Sequence, residues 1–550
     1  MNRLFKIFIL FLVALSLVFT FCACTQKVEA PDSAEDADSS VSVQKVTLNK
    51  TKLELTSGDS FQLVATVTPE GASQEVKWTV NKDGKDYASV TSDGKVKVSN
   101  TGNSSASAII SATSVADPTK KASCSITIKV APPAKYTLSG IGMVTAGPGE
   151  NASDSMIISW HSPSQGSFLE YTDADGETYT NTVANADCNE VLSTAKWADT
   201  ATHYRCKVTL EGLSAGSTYK YRINDGSGNY TDVATFRTAE ADTTDFQFMW
   251  LSDLHTGKYG DNYIKRVDEL IDFANEKEGV DVDFCLFTGD MVNKGQIYKH
   301  WDNWSASKLM SDMTYAFVCG NHDYYPYGSK DRTTNAYYKD VCAFPTNNTA
   351  GGKTVLDSNY WFIWNRVLFV CIDNFTSEGT ETQKLDGASI SAQKAWFKAV
   401  LDSIPTADYD YLIYAQHLPF FIDDEPCSYG QYTDWRALFD EYKVDFALSS
   451  DEHAYTRTNP LLNDTKQELT DGKVTTGTVY MTSFETEGSS IGSASNQSAK
   501  KNGGKYAAFY GGGGVGGGVY FTVTPTEMTM HLICANGVEK DSVTVLKKTR

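Results

Sequence analysis

Five times between residues 246 and 457 a run of apolar residues stops at a cluster of Asp, Asn and His. The clusters are Ser252-Asp253-Leu254-His255, Thr288-Gly289-Asp290, Gly320-Asn321-His322-Asp323, Ala415-Gln416-His417 and Asp451-Glu452-His453. They follow runs that read as strands at Phe246–Leu251, Asp283–Thr288, Tyr315–Cys319, Tyr409–Ala415 and Val444–Leu448, with a further strand expected over Tyr360–Asp373. Helical patterns at Asn262–Glu278, Ser391–Ser403 and Tyr432–Glu441 alternate with them, the signature of an α/β domain. In such a sheet, residues just past the carboxyl ends of the strands share one crevice, so clusters far apart along the chain meet there. The 37 residues from Asp253 to Asp290 and the 31 from Asp290 to Asn321 leave room for crossover helices.

The residue types then select the chemistry. Asp, Asn and imidazole suit first-row divalent or mixed-valent ions, and no cysteine belongs to the set, which argues against a soft thiolate centre. One carboxylate can bridge two ions about 3.5–4 Å apart, the spacing with which two-metal phosphatases clamp an attacking hydroxide and a phosphoryl oxygen. Asp290 is the candidate bridge. Taken singly, each cluster has a bland reading: Gly-Asp is common at turns, a His after a strand is usually structural, and Asn-His-Asp can cap the segment that follows. The agreement of all five, in order and each at a strand end, carries the metal reading.

This ordered set resembles the calcineurin-like metallophosphoesterase superfamily over residues 244–548. The resemblance implies an α/β domain of two β-sheets packed together and flanked by helices, with two divalent or mixed-valent ions (Fe, Mn or Zn). It implies that Asp253, His255, Asp290 and His453 hold the first ion, and Asp290, Asn321 and His417 the second, with Asp451 where the family usually has another His. His322 matches the histidine that contacts the scissile phosphate and protonates or stabilises the leaving oxygen, and Asp323 is expected to orient it. Arg457 and Tyr455 resemble positions behind the ligands in purple acid phosphatases. That branch has Asp-x-Gly in its first motif and a Tyr three residues after the second-motif Asp, where this chain has His255 and Asn293. The implied reaction is hydrolysis of phosphate monoesters by a hydroxide generated at the ions, without a covalent enzyme intermediate. A phosphodiesterase or nucleotidase would share the metal set and differ in the pocket walls, where Tyr324, Tyr325 and Tyr327 either stack a base or pack a loop.

Upstream the texture is all-β. Residues 43–130 show short alternating strands, and Val46-Thr47-Leu48, Val76-Lys77-Trp78 and Ser92-Asp93-Gly94-Lys95-Val96 resemble the bacterial Ig-like group 2 domain. Residues 136–238 form a second expected sandwich, in which the run from Val208 to Tyr221 resembles the fibronectin-III-like domain that precedes the catalytic domain of purple acid phosphatases. His161 and His203 lie in it and read as surface or structural histidines. The fold expected for the chain is therefore multidomain: two β-sandwiches, then the α/β domain.

The N-terminus reads as a targeting segment. Arg3 and Lys6 precede an apolar run ending in Phe21-Cys22-Ala23-Cys24, which makes residues 1–23 a secretory signal. A small residue directly before Cys24 resembles the bacterial lipoprotein box and implies a lipid on that sulfur. Residues 24–42 are then an acidic, Ser-rich linker, and the expected location is outside the cytoplasm, at the cell surface or in the periplasm, anchored to the membrane. A formal net charge of −20 repels nucleic acid, so the expected partner is a small phosphate ester, with cell wall or glycan as the contact open to the Ig-like domain. A surface adhesion protein with a degenerate catalytic domain is the reading from another class. Cys285, Cys319 and Cys371 read as small core hydrophobes, and Cys188 with Cys206 as a pair that a disulfide could join.

Overall fold

The computed structural model describes residues 41–100, 105–130, 138–174, 176, 179–183, 190–192, 203–257, 262–305, 312–325, 335–348, 357–374, 387–427, 429, 431–486, 500–501, 504–510 and 516–550. The leader, Cys24, Cys188 and Tyr327 lie outside the described residues. No helix among the described residues is long and apolar enough to cross a membrane.

The first sandwich follows from period-two alternation. Lys121–Lys129 buries every second residue from Cys124 to Ile128, and these side chains meet Leu63, Val96 and Ile110 in one core. Its four-stranded sheet runs Lys52–Thr56, Lys121–Lys129, Ala106–Ser114, Val76–Val80, and a three-stranded sheet runs Ser60–Gln62, Lys95–Val98, Ala88–Val90.

The second sandwich breaks that alternation in an informative way. Met156–Ser162 is buried at all seven positions, on both faces, because its sheet does not end with the sandwich. In a ten-stranded sheet the order runs Glu190–Leu192, His203–Leu210, Met156–Ser162, Gly142–Pro148, then Thr314–Val318, Phe284–Thr288, Phe246–Leu251, Gly517–Val523, Glu527–Cys534 and Glu539–Leu546. The junction is a parallel bridge between Ala146 and Thr314. Polar side chains fasten it: Thr145 Oγ1 donates to the Val341 carbonyl at 2.9 Å, Arg205 pairs with Asp340 at 2.9 Å, and Lys207 Nζ donates to the Cys342 carbonyl at 2.9 Å. His161 and His203 are buried here rather than at the surface, with His161 Nδ1 3.0 Å from the Tyr298 hydroxyl.

The α/β domain has the expected two sheets. The second runs Tyr360–Trp364, Val367–Cys371, Tyr411–Ala415, Phe446–Ser449, Val479–Thr482, Thr456–Thr458, Ala507–Tyr510 and Lys500–Lys501. Parallel strands such as Phe284–Thr288 and Tyr411–Ala415 are buried at every position because both of their faces are covered. Between the sheets Phe248 stacks on Phe521 at 4.5 Å and meets Phe369 of the other sheet edge-on at 5.4 Å. Outside the second sheet, the helices Gly387–Ser403 and Tyr432–Tyr442 bury Trp396, Phe397, Trp435 and Phe439. Cys285, Cys319 and Cys371 are buried as expected, and burial pushes the Cys371 thiol up to about 12. The single strand expected over Tyr360–Asp373 is in fact the hairpin Tyr360–Trp364 and Val367–Cys371. Asn365 and Arg366 both take left-handed φ, 41° and 62°, as a two-residue hairpin turn requires.

Candidate metal centre

All five clusters arrive at one place. Parallel register sets the ends level, pairing Leu251 with Phe287 and Thr288 with Val318 in one sheet, and Ala415 with Leu448 in the other. Past those ends the chain turns sharply. Asp253, His255, Asp290, Asp451 and His453 all take left-handed φ, between 48° and 74°. Each such turn at a non-glycine residue costs on the order of 1–3 kcal/mol, and such strain gathers where a site over-determines the backbone. Gly289 and Gly320 allow the turns to meet: a Cβ on Gly289 would lie 2.4 Å from His417 Nδ1, and one on Gly320 2.3 Å from Asp290 Oδ1.

The side chains form two groups around Asp290. On one side His255 Nε2 lies 3.0 Å from His453 Nε2 and 3.7 Å from Asp290 Oδ2, while His453 Nε2 lies 3.5 Å from Asp253 Oδ1. On the other, His417 Nε2 lies 3.3 Å from Asp290 Oδ1, 3.1 Å from Asn321 Oδ1 and 3.5 Å from Asp451 Oδ1. His322 Nε2 is 4.0 Å from Asp290 Oδ2. The structure thus brings together Asp253, His255, Asp290, Asn321, His322, His417, Asp451 and His453. Asp290 touches both groups with separate oxygens, the geometry expected of a bridging carboxylate.

The donors fit cations. Three acidic side chains and four imidazoles meet in a buried space, and Asp253 Oδ1 is fully buried without a hydrogen-bond donor. Ligand atoms of Asp253, His255 and His453, and of Asp253, Asp290 and His417, lie within 4.8 Å of one another. Burial opposes ionisation of Asp290, but the imidazoles of His417, His322 and His255 hold its carboxyl well below the usual carboxylate range. Burial likewise opposes protonation of His417, yet Asp290 and Asp451 raise it well above an ordinary histidine. Burial lifts the Asp451 carboxyl, with His417 opposing. Such a set of facing carboxylates and imidazoles suits a site for positive charge, which a bound metal ion would supply.

Supporting contacts fix the orientations. His417 Nδ1 faces the Thr288 carbonyl at 2.6 Å and Ser450 Oγ at 3.0 Å, which leaves Nε2 for the site. Asn321 Nδ2 donates to the Tyr325 hydroxyl at 3.0 Å, turning its Oδ1 inward. His322 Nδ1 faces the Asn293 carbonyl at 2.8 Å. Here the expected role of Asp323 needs correction: it does not hold the His322 ring. Its carboxylate is fully buried and accepts the backbone N–H groups of Gly320 at 2.8 Å and Asp290 at 3.1 Å, tying two motif turns together. Arg457 and Tyr455 both bind Asp541, at 2.6 Å and 2.9 Å, and so anchor their strand to Glu539–Leu546. Tyr324 is buried with its hydroxyl donating to Asp373, a packing role.

Sequence reasoning missed Asn374, whose Oδ1 accepts from the N–H groups of His417 and Leu418, and Glu485, whose Oε1 lies 3.8 Å from His453 Nδ1. Asn374 ends the extension of a strand, a signal the other motifs share. Glu485 follows the strand Val479–Thr482 in the same way, but no histidine or glycine marks it.

Comparison with known proteins gives three segments. Residues 246–455 match the calcineurin-like phosphoesterase family, residues 143–238 the purple acid phosphatase N-terminal domain, and residues 42–126 the bacterial Ig-like domain (group 2). Two proteins of Mycobacterium tuberculosis described as uncharacterized are each 24% identical over 374 residues, covering 60% of this chain and 67% of theirs. Among solved structures, purple acid phosphatase PPD1 from yellow lupin (Lupinus luteus) seeds superposes with a TM-score of 0.57 at 14% identity, covering 92% of this chain and 96% of that one. The likeness is one of fold, and in this chain two β domains stand ahead of a calcineurin-like phosphoesterase domain.

Proposed function

We propose that this chain, a metal-dependent phosphoesterase by its calcineurin-like domain, hydrolyses phosphate monoesters outside the cytoplasm. The observation that carries the reading is Asp290, with one oxygen toward His417 at 3.3 Å and the other toward His255 at 3.7 Å. Asp253, His255, Asp290 and His453 would hold one ion, and Asp290, Asn321, His417 and Asp451 the other. Two such ions, when bound, stabilise charge on the phosphoryl oxygens and acidify a water toward neutrality. The chain's own part is orientation and proton delivery. His322, with Nδ1–H held by the Asn293 carbonyl, presents Nε2 toward the centre; burial opposes a second proton on the ring and Asp290 favours it, and the doubly protonated ring gives its Nε2 proton to the departing alkoxide. Monoesters are favoured by the purple acid phosphatase N-terminal segment and by the lupin phosphatase that shares the fold. A panel of aryl and alkyl mono- and diesters tests this: faster turnover of the diesters would replace the proposal with a phosphodiesterase.

Asp451 sets the metals apart. A carboxylate where relatives carry imidazole is a harder donor and favours Mn²⁺ or Mg²⁺ over Zn²⁺ at the second position. Asp451→His is expected to shift bound metal toward zinc, read by mass spectrometry after loading from an equimolar mixture. Unchanged selectivity would show that Asp451 is not a ligand.

The location rests on residues 1–24 alone. If Cys24 carries the anchoring lipid, Cys24→Ala moves the protein from the membrane to the soluble fraction, because no other stable anchor is proposed. Retention of the processed variant on membranes would assign the anchoring to another segment.

A further inference from the structure

Glu485 stands behind His453 and holds no ligand position in the proposed centre. It is fully buried in a segment fastened beside the first cluster: Thr486 Oγ1 donates to the Ser252 carbonyl at 2.7 Å, and the Ser252 N–H donates to Thr486 Oγ1 at 3.1 Å. On the other side the Ser483 N–H donates to the Ser449 carbonyl at 2.9 Å. So pinned, Glu485 presents Oε1 to His453 Nδ1 at 3.8 Å, less than an ångström beyond hydrogen-bond reach.

What lies behind the ligand histidines differs between the two groups. His417 Nδ1 faces the neutral carbonyl of Thr288, whereas His453 Nδ1 faces a carboxylate. His255 Nε2 and His453 Nε2 meet at 3.0 Å, so a cation seated between them needs a lone pair from each. The His453 proton then resides on Nδ1, on the side of Glu485. A carboxylate in that position fixes the tautomer and makes the imidazole a stronger donor than a carbonyl does.

The geometry points to Glu485 as a positioning residue that makes the site of Asp253, His255 and His453 the tighter of the two, so that it fills before the site of Asn321, His417 and Asp451. This rests on the two-ion reading above. The site order follows from the chain's own residues and needs no difference between the ions themselves.

The test is titration of the metal-free full-length chain with Mn²⁺ against a chelating indicator, comparing the wild type with Glu485→Gln and Glu485→Asp. The wild type is expected to bind in two steps. Gln keeps the shape and gives up the charge; the tighter step should weaken roughly 10–100-fold while the weaker step stays within about twofold, the size usual for a lost outer partner. Asp restores the charge at a greater distance and should recover part of the loss. An unchanged tighter step overturns the assignment, and so does equal weakening of both steps, which would mark Glu485 as part of the general packing. A wild type that binds no Mn²⁺ overturns the two-ion reading instead.

Discussion

Replacing Asp290 with alanine is expected to remove turnover by more than about 10³-fold and to leave fewer than two metal equivalents on the chain, since even an outer partner of a ligand is usually worth 10–100-fold. The reason is that Asp290 reaches both groups with separate oxygens: one lies 3.3 Å from His417 Nε2 and the other 3.7 Å from His255 Nε2. Oδ1 also accepts the His322 N–H at 2.8 Å, so the loss reaches the proposed acid. Alanine leaves the turn's backbone in place, because Asp323 still accepts the N–H groups of residues 290 and 320. The two sandwiches contribute none of the ligands, and their strand signals in circular dichroism should be unchanged. Mass spectrometry for metal content and steady-state kinetics check the result. Full activity, or two ions retained, would remove Asp290 from the centre.

His322→Ala is expected to lower turnover by roughly 10²–10⁴ on alkyl phosphates, the usual worth of a general acid, with metal content intact. The ring stands at the rim of the site, 4.0 Å from Asp290 Oδ2, and lies tilted against Tyr325 with centroids 4.2 Å apart. An aryl ester with a leaving group of low pKa departs without a proton and should lose far less. The measurement is a series of esters of graded leaving-group pKa on both forms: a steeper dependence in the variant supports proton donation, and parallel lines would assign His322 to phosphate binding alone.

The centre was legible in the sequence because chemistry-bearing residues interrupted apolar strands, and parallel strands bring their carboxyl ends to one side. The strand-end pattern led to the clusters that hold Asp253, His255, Asp290, Asn321, His417 and His453, and the structure brings these together; their roles as ligands came from the family resemblance. Asp323 was misread because its partners are backbone N–H groups, which carry no sequence signal. Glu485 was missed for a related cause: it serves the site through His453 from 32 residues further on, at a spacing no motif fixes. The strand expected over Tyr360–Asp373 concealed a turn, because Asn365-Arg366 lacks the glycine that usually marks a left-handed pair. The left-handed ligand turns have the same character. Asp and His enter the left-handed region more readily than most side chains, but their type does not say which of them will do so.

The sheet that passes from the second sandwich into the catalytic half has a consequence for inheritance. Thr314–Val318 has Gly142–Pro148 as its outer neighbour through one bridge at Thr314, and without it that end of the strand would be an open edge, able to pair with other chains. Recombination that cut between residues 238 and 246 would expose this edge, together with Asp340 and the carbonyls that Arg205 and Lys207 now cover. A cut upstream of residue 142 would leave this shared sheet whole, whereas a cut at the boundary between the two family segments would divide it. In any such exchange the second sandwich would have to travel with the catalytic half, because the two share one sheet.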